Sequence, residues 1–428
     1  MAVTTQAPGP AATAGPDGHR GPEPAADATV AAGPLAGAAR PQLIRVLNEQ
    51  LLLGHIRSLG PCSRADLARA SGLSKPTVSL ALANLERSGL LRAAGQRTGV
   101  PGRSALLYEI RPEAGFVLGL DVGHRYLRGA LADLTGVIRA SDTARARAAS
   151  VTGRVAELTG LAAGLCEAAG ISAAAITQTV IGSPGVYDPG RDAIALTGSL
   201  AGWGKPAVLA GLRERFGRHL VTENDVDAAA LAEREHGHGR DFASFAFVSI
   251  GTGIGMGLVI DGRLHRGAHG AAGEIAFLPI SDAAGADERD ARRRGTLEAA
   301  GSAQAIVRAA RRAGMRGPVS ARRVFAAAAA GDERAAAVVA GEARLVARAL
   351  CAIVSVVDPQ LVVLGGGVGQ APGFAAAVDA ELRRLAPVLP PVRVSALGTG
   401  AVVDGCLAAA ADLAWQRLTA QLPSALSG

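Results

Sequence analysis

Large apolar side chains are almost absent from the first forty residues, a mixture of Ala, Pro and Gly, and regular patterning begins only after them. A segment that cannot bury apolar surface cannot offset the entropy of ordering, so residues 1–40 are expected to be a disordered tail. Next, "QLIRVLNEQLLLGHIRSLG" repeats apolar positions at helical spacing and stops at a glycine. "SRADLARASG" predicts a short helix with Ser63 as N-cap and Asp66 in the capping-box position. After the "SGLS" turn, "SKPTVSLALANLERSGLL" predicts a second helix, with Ser74 as N-cap and Pro76 in its first turn. Its apolar positions Val78, Leu82 and Leu85 face a core and leave Lys75, Thr77, Ser79 and Asn84 outward. "GLLRAAGQRTGVPGRSALLYEI" then reads as two strands around a Gly-rich turn carrying Arg97 and Arg103. Two short helices, a tight turn and a two-stranded wing predict a winged helix-turn-helix over residues 41–111.

From Gly115 the period changes again, to strands alternating with Ala-rich helices, the pattern of an α/β body over residues 112–428. The most apolar stretch, "ALCAIVSVVDPQLVVLGGG", is broken by Asp358-Pro359 into a helix end and a short buried strand, so no membrane span is expected. The length of 428 residues, with 49% apolar and 19% charged content, calls for two or three packed units. The start lacks the basic residues and continuous apolar run of a secretion signal, which makes the cytoplasm the expected location. Cys62, Cys166, Cys351 and Cys406 are far apart and show no CxxC spacing, so they read as buried free thiols.

Charge adds a partner to this picture. The formal net charge is +7, and residues 41–111 hold ten basic side chains against four acidic ones, so nearly all of the excess lies in the small N-terminal module. A basic module on a near-neutral body points to a polyanion that touches the module alone, here double-stranded DNA. Ser74, Lys75, Thr77 and Ser79, near the start of the second helix, are expected to meet base edges in the major groove, with Arg97 and Arg103 of the wing reaching the DNA beside them.

Four stretches of the body carry candidate chemistry. "VLGLDVGHRYLRGALADLTG" is a hairpin with Asp121 and Gly123 at its turn, a shape that can cradle phosphates, yet His124, Arg125 and Tyr126 stand where bare backbone would be needed. "VTENDVDAAALAE" places Asn224 and Asp225 at the mouth of a helix, either as ligands for several hydroxyls or as an ordinary N-cap. "FAFVSIGTGIGMGLVIDGRLHRG" has a Gly-rich turn (Gly251, Thr252, Gly253) whose N–H groups can converge on an anion, followed by an Asp261-Gly262 hairpin turn. "VVLGGGVG" is a buried strand ending in Gly365-Gly366-Gly367, which permits close approach of a ligand or simply a sharp turn.

As a set and in this order, these stretches resemble the ROK family of repressors, open reading frames and sugar kinases. The resemblance runs from about Gly115 to the C-terminus and implies an actin-like (ribonuclease H-like) ATPase-type fold of two lobes around a cleft, the first of about 112–235 plus the C-terminal helix and the second of about 236–401. It implies sugar contacts from Asn224, Asp225, Glu274 and Glu298, and a nucleotide side at Asp121, Gly123, Gly251, Thr252, Gly253 and Gly366. Kinases of the family have Asp-x-Gly-Gly-Thr at the first hairpin, where this chain has Asp121-Val122-Gly123-His124-Arg125, so the nucleotide side reads as vestigial. Zinc-binding members have a histidine and a CxCGxxGC run; Phe277 and Thr296 stand at the matching histidine and last-cysteine positions, so no zinc and no other cofactor is expected. The run Arg292-Arg293-Arg294 reads as a solvated loop or as a contact for an anionic effector at the cleft.

With the winged module in front, the chain looks like the repressor branch of the family. The expected function is a DNA-binding regulator of carbohydrate-related genes, not an enzyme, whose body senses a sugar or sugar phosphate. As a homodimer or homotetramer it would present modules to half-sites spaced by whole helical turns. The alternatives are a bifunctional sugar kinase, with Asp225 as base for the attacking hydroxyl and Mg²⁺ near Asp121, and a ligand-independent DNA-binding or scaffolding protein.

Overall fold

A computed structural model of the chain describes residues 41–97, 105–197, 200, 202–280 and 288–422. The expected N-terminal tail and the wing tip with Arg103 lie outside the described residues.

The N-terminal module is built from α1 (Pro41–Leu59), β1 (Cys62–Ser63), α2 (Arg64–Ser71), α3 (Lys75–Arg87), β2 (Leu91–Arg97) and β3 (Ala105–Ile110). Helix α2 starts in a complete capping box: Asp66 N–H donates to Ser63 Oγ, and the Asp66 carboxylate accepts from Ser63 N–H. It stops at Gly72, whose φ of 70° is the left-handed geometry a glycine takes without strain. Ser74 caps α3 through Thr77 N–H, and Pro76 sits in the first turn. Strands β1, β3 and β2 form an antiparallel sheet in that order, so the wing is present. Leu67, Val78, Leu82 and Leu85 are fully buried against Leu52 of α1.

Asn84 departs from expectation. It is 1% exposed, not outward-facing, and its Nδ2 donates to Glu49 Oε1 of α1 at 2.7 Å. The partner lies 35 residues earlier, so helical spacing within α3 could not reveal it.

The body contains two five-stranded sheets. The first collects β4 (Phe116–Val122), β5 (Tyr126–Asp133), β6 (Ile138–Arg145), β7 (Ile176–Ser183) and β10 (Leu220–Asn224) in the order β10-β7-β4-β5-β6. Helix α4 (Val151–Ala169), the short pair β8 (Val186–Asp188) and β9 (Ala193–Ala195), and α5 (Pro206–Phe216) fall between them in the chain, and α6 (Asp225–His236) follows β10 directly. The second sheet collects β11 (Phe245–Ile250), β12 (Ile254–Ile260), β13 (Arg263–Leu264), β14 (Leu361–Gly365) and β15 (Val392–Val394) in the order β13-β12-β11-β14-β15. Between β13 and β14 run α7 (Glu288–Arg294), α8 (Thr296–Gly301), α9 (Ala303–Arg312), α10 (Ala321–Ala329) and α11 (Glu333–Val357); α12 (Gly366–Gly369) and α13 (Phe374–Leu382) precede β15, and α14 (Ala401–Ala420) closes the fold.

Both sheets follow one plan: three antiparallel strands in a meander, then two parallel strands added beside the first. Helix α11 ends at Asp358, which takes φ 49°, and β14 beyond it is wholly buried, as the Asp358-Pro359 break predicts. No helix among the described residues is long and apolar enough to cross a membrane. Cys62, Cys166 and Cys406 are buried free thiols, while Cys351 is only half-buried.

Helix α14 returns from the second sheet to pack on β4, β7 and α6. Its crossing with α6 is so close that a Cβ at Gly405 would lie 1.6 Å from the Ala228 carbonyl oxygen. Its far end reaches the module: Trp415 belongs to the same apolar cluster as Leu52, Leu53 and Ile56, and the Arg57 guanidinium lies 5.1 Å from the Trp415 ring centroid. Asp412 then bridges Arg57 of α1 at 3.3 Å and Arg234 of α6 at 3.9 Å.

Candidate functional site

The four expected sugar contacts and the six expected nucleotide contacts border a single cavity of about 770 Å³. Its carboxyl-rich side is organised by the start of α6. Asn224 is the N-cap of that helix: its Oδ1 accepts from Val226 N–H and Asp227 N–H, and its Nδ2 donates to the Gly185 carbonyl. The N-cap reading of Asn224 therefore holds, and it fixes where Asp225 sits. The Asp225 carboxyl is pushed up to about 7, first by burial and then by the charge of Asp121, with the Val226 N–H opposing and Glu274 adding. Burial, and after it the charge of Glu298, raises Glu274 as well.

Glu298 is occupied by the protein itself. Its Oε2 accepts from Ile254 N–H at 2.9 Å, and its Oε1 accepts from Arg294 Nε at 2.6 Å. Arg294 is buried and also donates to the Thr252 carbonyl at 2.7 Å. Arg292-Arg293-Arg294 end helix α7 and do not form a loop; Arg292 and Arg293 are exposed, as the solvated reading has it, while Arg293 and Arg294 line the cavity.

The first hairpin is held in the same way. Arg128 stands opposite Asp121 in the antiparallel register of β4 and β5, and its Nη1 donates to Asp121 Oδ2 at 2.9 Å. Burial still pushes the Asp121 carboxyl up, against the pull of Arg128. At the turn, His124, Arg125 and Tyr126 are exposed side chains on the cavity wall, and the Gly123 carbonyl accepts from Arg154 Nη1 at 3.3 Å. A magnesium-bound nucleotide does not match this hairpin as it stands: its carboxylate is paired with an arginine, and His124, Arg125 and Tyr126 stand where bare backbone would be needed.

The glycines of the second hairpin differ in what they leave open. A Cβ at Gly251 would meet nothing closer than the Gly367 N at 3.8 Å, whereas one at Gly253 would come within 2.9 Å of Glu298 Oε2. Gly366 has φ 73° and lies so near the Ile250 carbonyl that a Cβ would approach it to 2.3 Å, so backbone packing alone requires glycine there.

Thr296, at the former cysteine position, donates its hydroxyl to the Leu278 carbonyl at 2.7 Å, and Phe277 is an exposed ring on the cavity wall. Among the described residues no group of three or more His, Cys, Asp and Glu side chains is placed to hold a metal ion.

The DNA-facing candidates gather on the module, separate from this cavity. Lys75 is exposed at the start of α3, Thr77 and Ser79 are half-buried beside it, and the Ser74 hydroxyl is 2.8 Å from that of Thr77. Arg97 ends β2 at the base of the wing. Residues that sequence reasoning passed over are Arg128, Arg154, Arg266 and Asp227. Arg128 had a local signal, since seven residues around a tight turn put it across from Asp121; the others had none.

Fold and cavity together define an actin-like, two-lobed body of the sugar-kinase type behind a winged helix-turn-helix. The model of the ROK family matches residues 117–411, and the chain belongs to that family. A xylose repressor of Bacillus spizizenii (strain ATCC 23059 / NRRL B-14472 / W23) is 25% identical over 237 residues, 55% of this chain and 61% of the repressor, so the match spans about three-fifths of that relative. Among solved structures, a ROK family transcriptional regulator, a homologue of the E. coli MLC protein, is 24% identical with a TM-score of 0.72 over 89% of this chain and 99% of its own. The ROK hexokinase of Thermus thermophilus is 30% identical with a TM-score of 0.58 over 68% of this chain and 97% of its own.

Proposed function

We propose that the protein is a DNA-binding transcriptional regulator, a repressor of carbohydrate-related genes, in which residues 41–111 hold an operator and residues 112–428 sense a sugar or sugar phosphate. The observation that carries this reading is the pairing of Asp121 with Arg128 at 2.9 Å. It removes the carboxylate that a kinase would turn towards magnesium, while Asn224, Asp225 and Glu274 still border the cavity. The xylose repressor and the MLC homologue support the regulatory branch.

Asn224 and Asp225 begin α6, and Arg234 near the end of the same helix meets Asp412, which also meets Arg57 of the module. A ligand that prefers one setting of α6 thereby biases the module, which is all that coupling requires. In a homodimer or homotetramer this alters the spacing of two DNA-binding modules in the cytoplasm.

The test is recovery of genomic DNA fragments by the purified protein, followed by competition with sugars and sugar phosphates at fixed salt. One sequence, bound with an affinity that falls as salt rises and altered by one carbohydrate, is the expected result. Failure to retain any DNA at low salt overturns the proposal. Asp225, whose carboxyl burial pushes up to about 7, favours a second reading, phosphoryl transfer to a sugar hydroxyl. Sugar-dependent release of ADP from ATP that disappears in Asp225→Ala would establish it.

A further inference from the structure

One carboxyl group of the cleft has no partner. Asp227 lies in the first turn of α6, with its N–H bound to Asn224 Oδ1 at 3.1 Å, and the residue borders the cavity. It is 3% exposed, and its Oδ1 is buried with no hydrogen bond. The charged groups facing it are Glu223 at the end of β10, Asp225 on its own helix, Glu274, and Arg266 after β13. Arg266 is committed to Glu223, donating from Nε at 3.3 Å and from Nη2. Strand β12, packed against this turn, brings Gly257, where an added Cβ would lie 3.3 Å from the Asp227 Cα.

A buried polar atom without a partner is rare in a folded protein and calls for an explanation, and here a ligand cavity lies beside it. We propose that Asp227 is a further effector contact, a carboxyl group that donates a hydrogen bond to a hydroxyl oxygen of the bound sugar and so selects among sugar stereoisomers. This rests on the sugar-sensing function proposed above.

Burial first, then the charge of Glu223, with Arg266 opposing and Asp225 and Glu274 adding, pushes the Asp227 carboxyl up to about 8. Both carboxyls are raised by burial, and a carboxyl that keeps its proton can donate to a sugar hydroxyl. The donor is lost as the pH rises through about 8, so affinity for the sugar falls across that range.

The experiment is calorimetric titration of the full chain with D-xylose, D-glucose and their monophosphates at pH 6.5, 7.5 and 9.0, in wild type, Asp227→Asn and Asp227→Ala. For the sugar that binds best, wild-type affinity is expected to fall about tenfold from pH 7.5 to 9.0. Asp227→Asn keeps a neutral donor in the same shape, so it should bind near the wild-type level and lose that fall. Asp227→Ala should bind about tenfold more weakly at pH 7.5. The Asp225 titration is common to wild type and the Asn variant and cancels in the comparison. If the Ala variant binds as tightly as wild type, or the Asn variant keeps the full pH dependence, the contact is overturned while sugar sensing stands. If no compound binds wild type at any pH, sugar sensing itself fails and the contact with it.

Discussion

Hairpins β4–β5 and β11–β12 hold equivalent places in sheets of the same strand order, and both turns border the same cavity. The first turn carries His124, Arg125 and Tyr126, and the second keeps Gly251 and Gly253 around Thr252. Each is closed by an arginine. In the first, Arg128 comes from the hairpin itself and neutralises a carboxylate; in the second, Arg294 comes from α7, 42 residues away, and takes a backbone carbonyl together with Glu298. The difference teaches that one backbone plan can carry two turns with different side chains and different arginine partners. A clamp within the hairpin forms whenever the hairpin does, whereas a clamp from a distant helix depends on the fold around the cleft.

The sharpest way to break the comparison is to remove the clamps one at a time. Arg128→Ala leaves Asp121 buried and unpaired, and should cost about 3 kcal/mol in denaturant unfolding. Arg294→Ala should cost less, about 2 kcal/mol, because Glu298 keeps its bond to Ile254 N–H. It should also push the Glu274 carboxyl further up, since the Glu298 charge that already raises it would then stand unopposed, which carboxyl NMR titration can follow.

The glycines sharpen it further. Gly123→Ala brings a Cβ within 2.5 Å of the Tyr126 carbonyl oxygen and should lower stability by about 1–2 kcal/mol. Gly251→Ala meets only an ordinary contact with the Gly367 N at 3.8 Å, so its unfolding curve should lie within about 0.5 kcal/mol of wild type. Equal losses at the two positions would remove the distinction between a filled turn and an open one.

Between the hairpins lies a pH effect. Asp225 and Asp227 have folded-state values raised to about 7 and about 8, above the ordinary carboxyl range of the unfolded chain. Their contribution to stability is full below the unfolded value and is lost as pH rises through 7 and 8. The melting temperature of wild type should therefore fall from pH 6 to pH 9, and the double variant Asp225→Asn, Asp227→Asn should fall less.

Local chemistry was legible in the sequence wherever partners are close in the chain. The Ser63 and Asp66 capping box, the Ser74 cap, the Asp261-Gly262 turn and the break at Asp358 all follow from residues within four positions of one another. The four stretches around Asp121, Asn224-Asp225, Gly251-Gly253 and Gly365-Gly367, taken in order, led to the family and its cleft. Contacts that join distant segments were not legible: Asn84 with Glu49, Arg294 with Thr252, and Arg57 with Asp412 across 355 residues. Asp227 was missed for the opposite reason. Its significance is a missing partner, and a sequence pattern records side chains but not the space beside them.

Helix α14 carries a consequence for how the protein is made. It covers β4 and β7, strands that leave the ribosome more than two hundred residues earlier, and its Trp415 completes the apolar cluster of the module. Until residue 420 has emerged, the first sheet has a bare apolar face and the module lacks one wall. The nascent chain is therefore open to chaperones and to aggregation until then, and the module, made long before α14, is among the last parts to reach its final form.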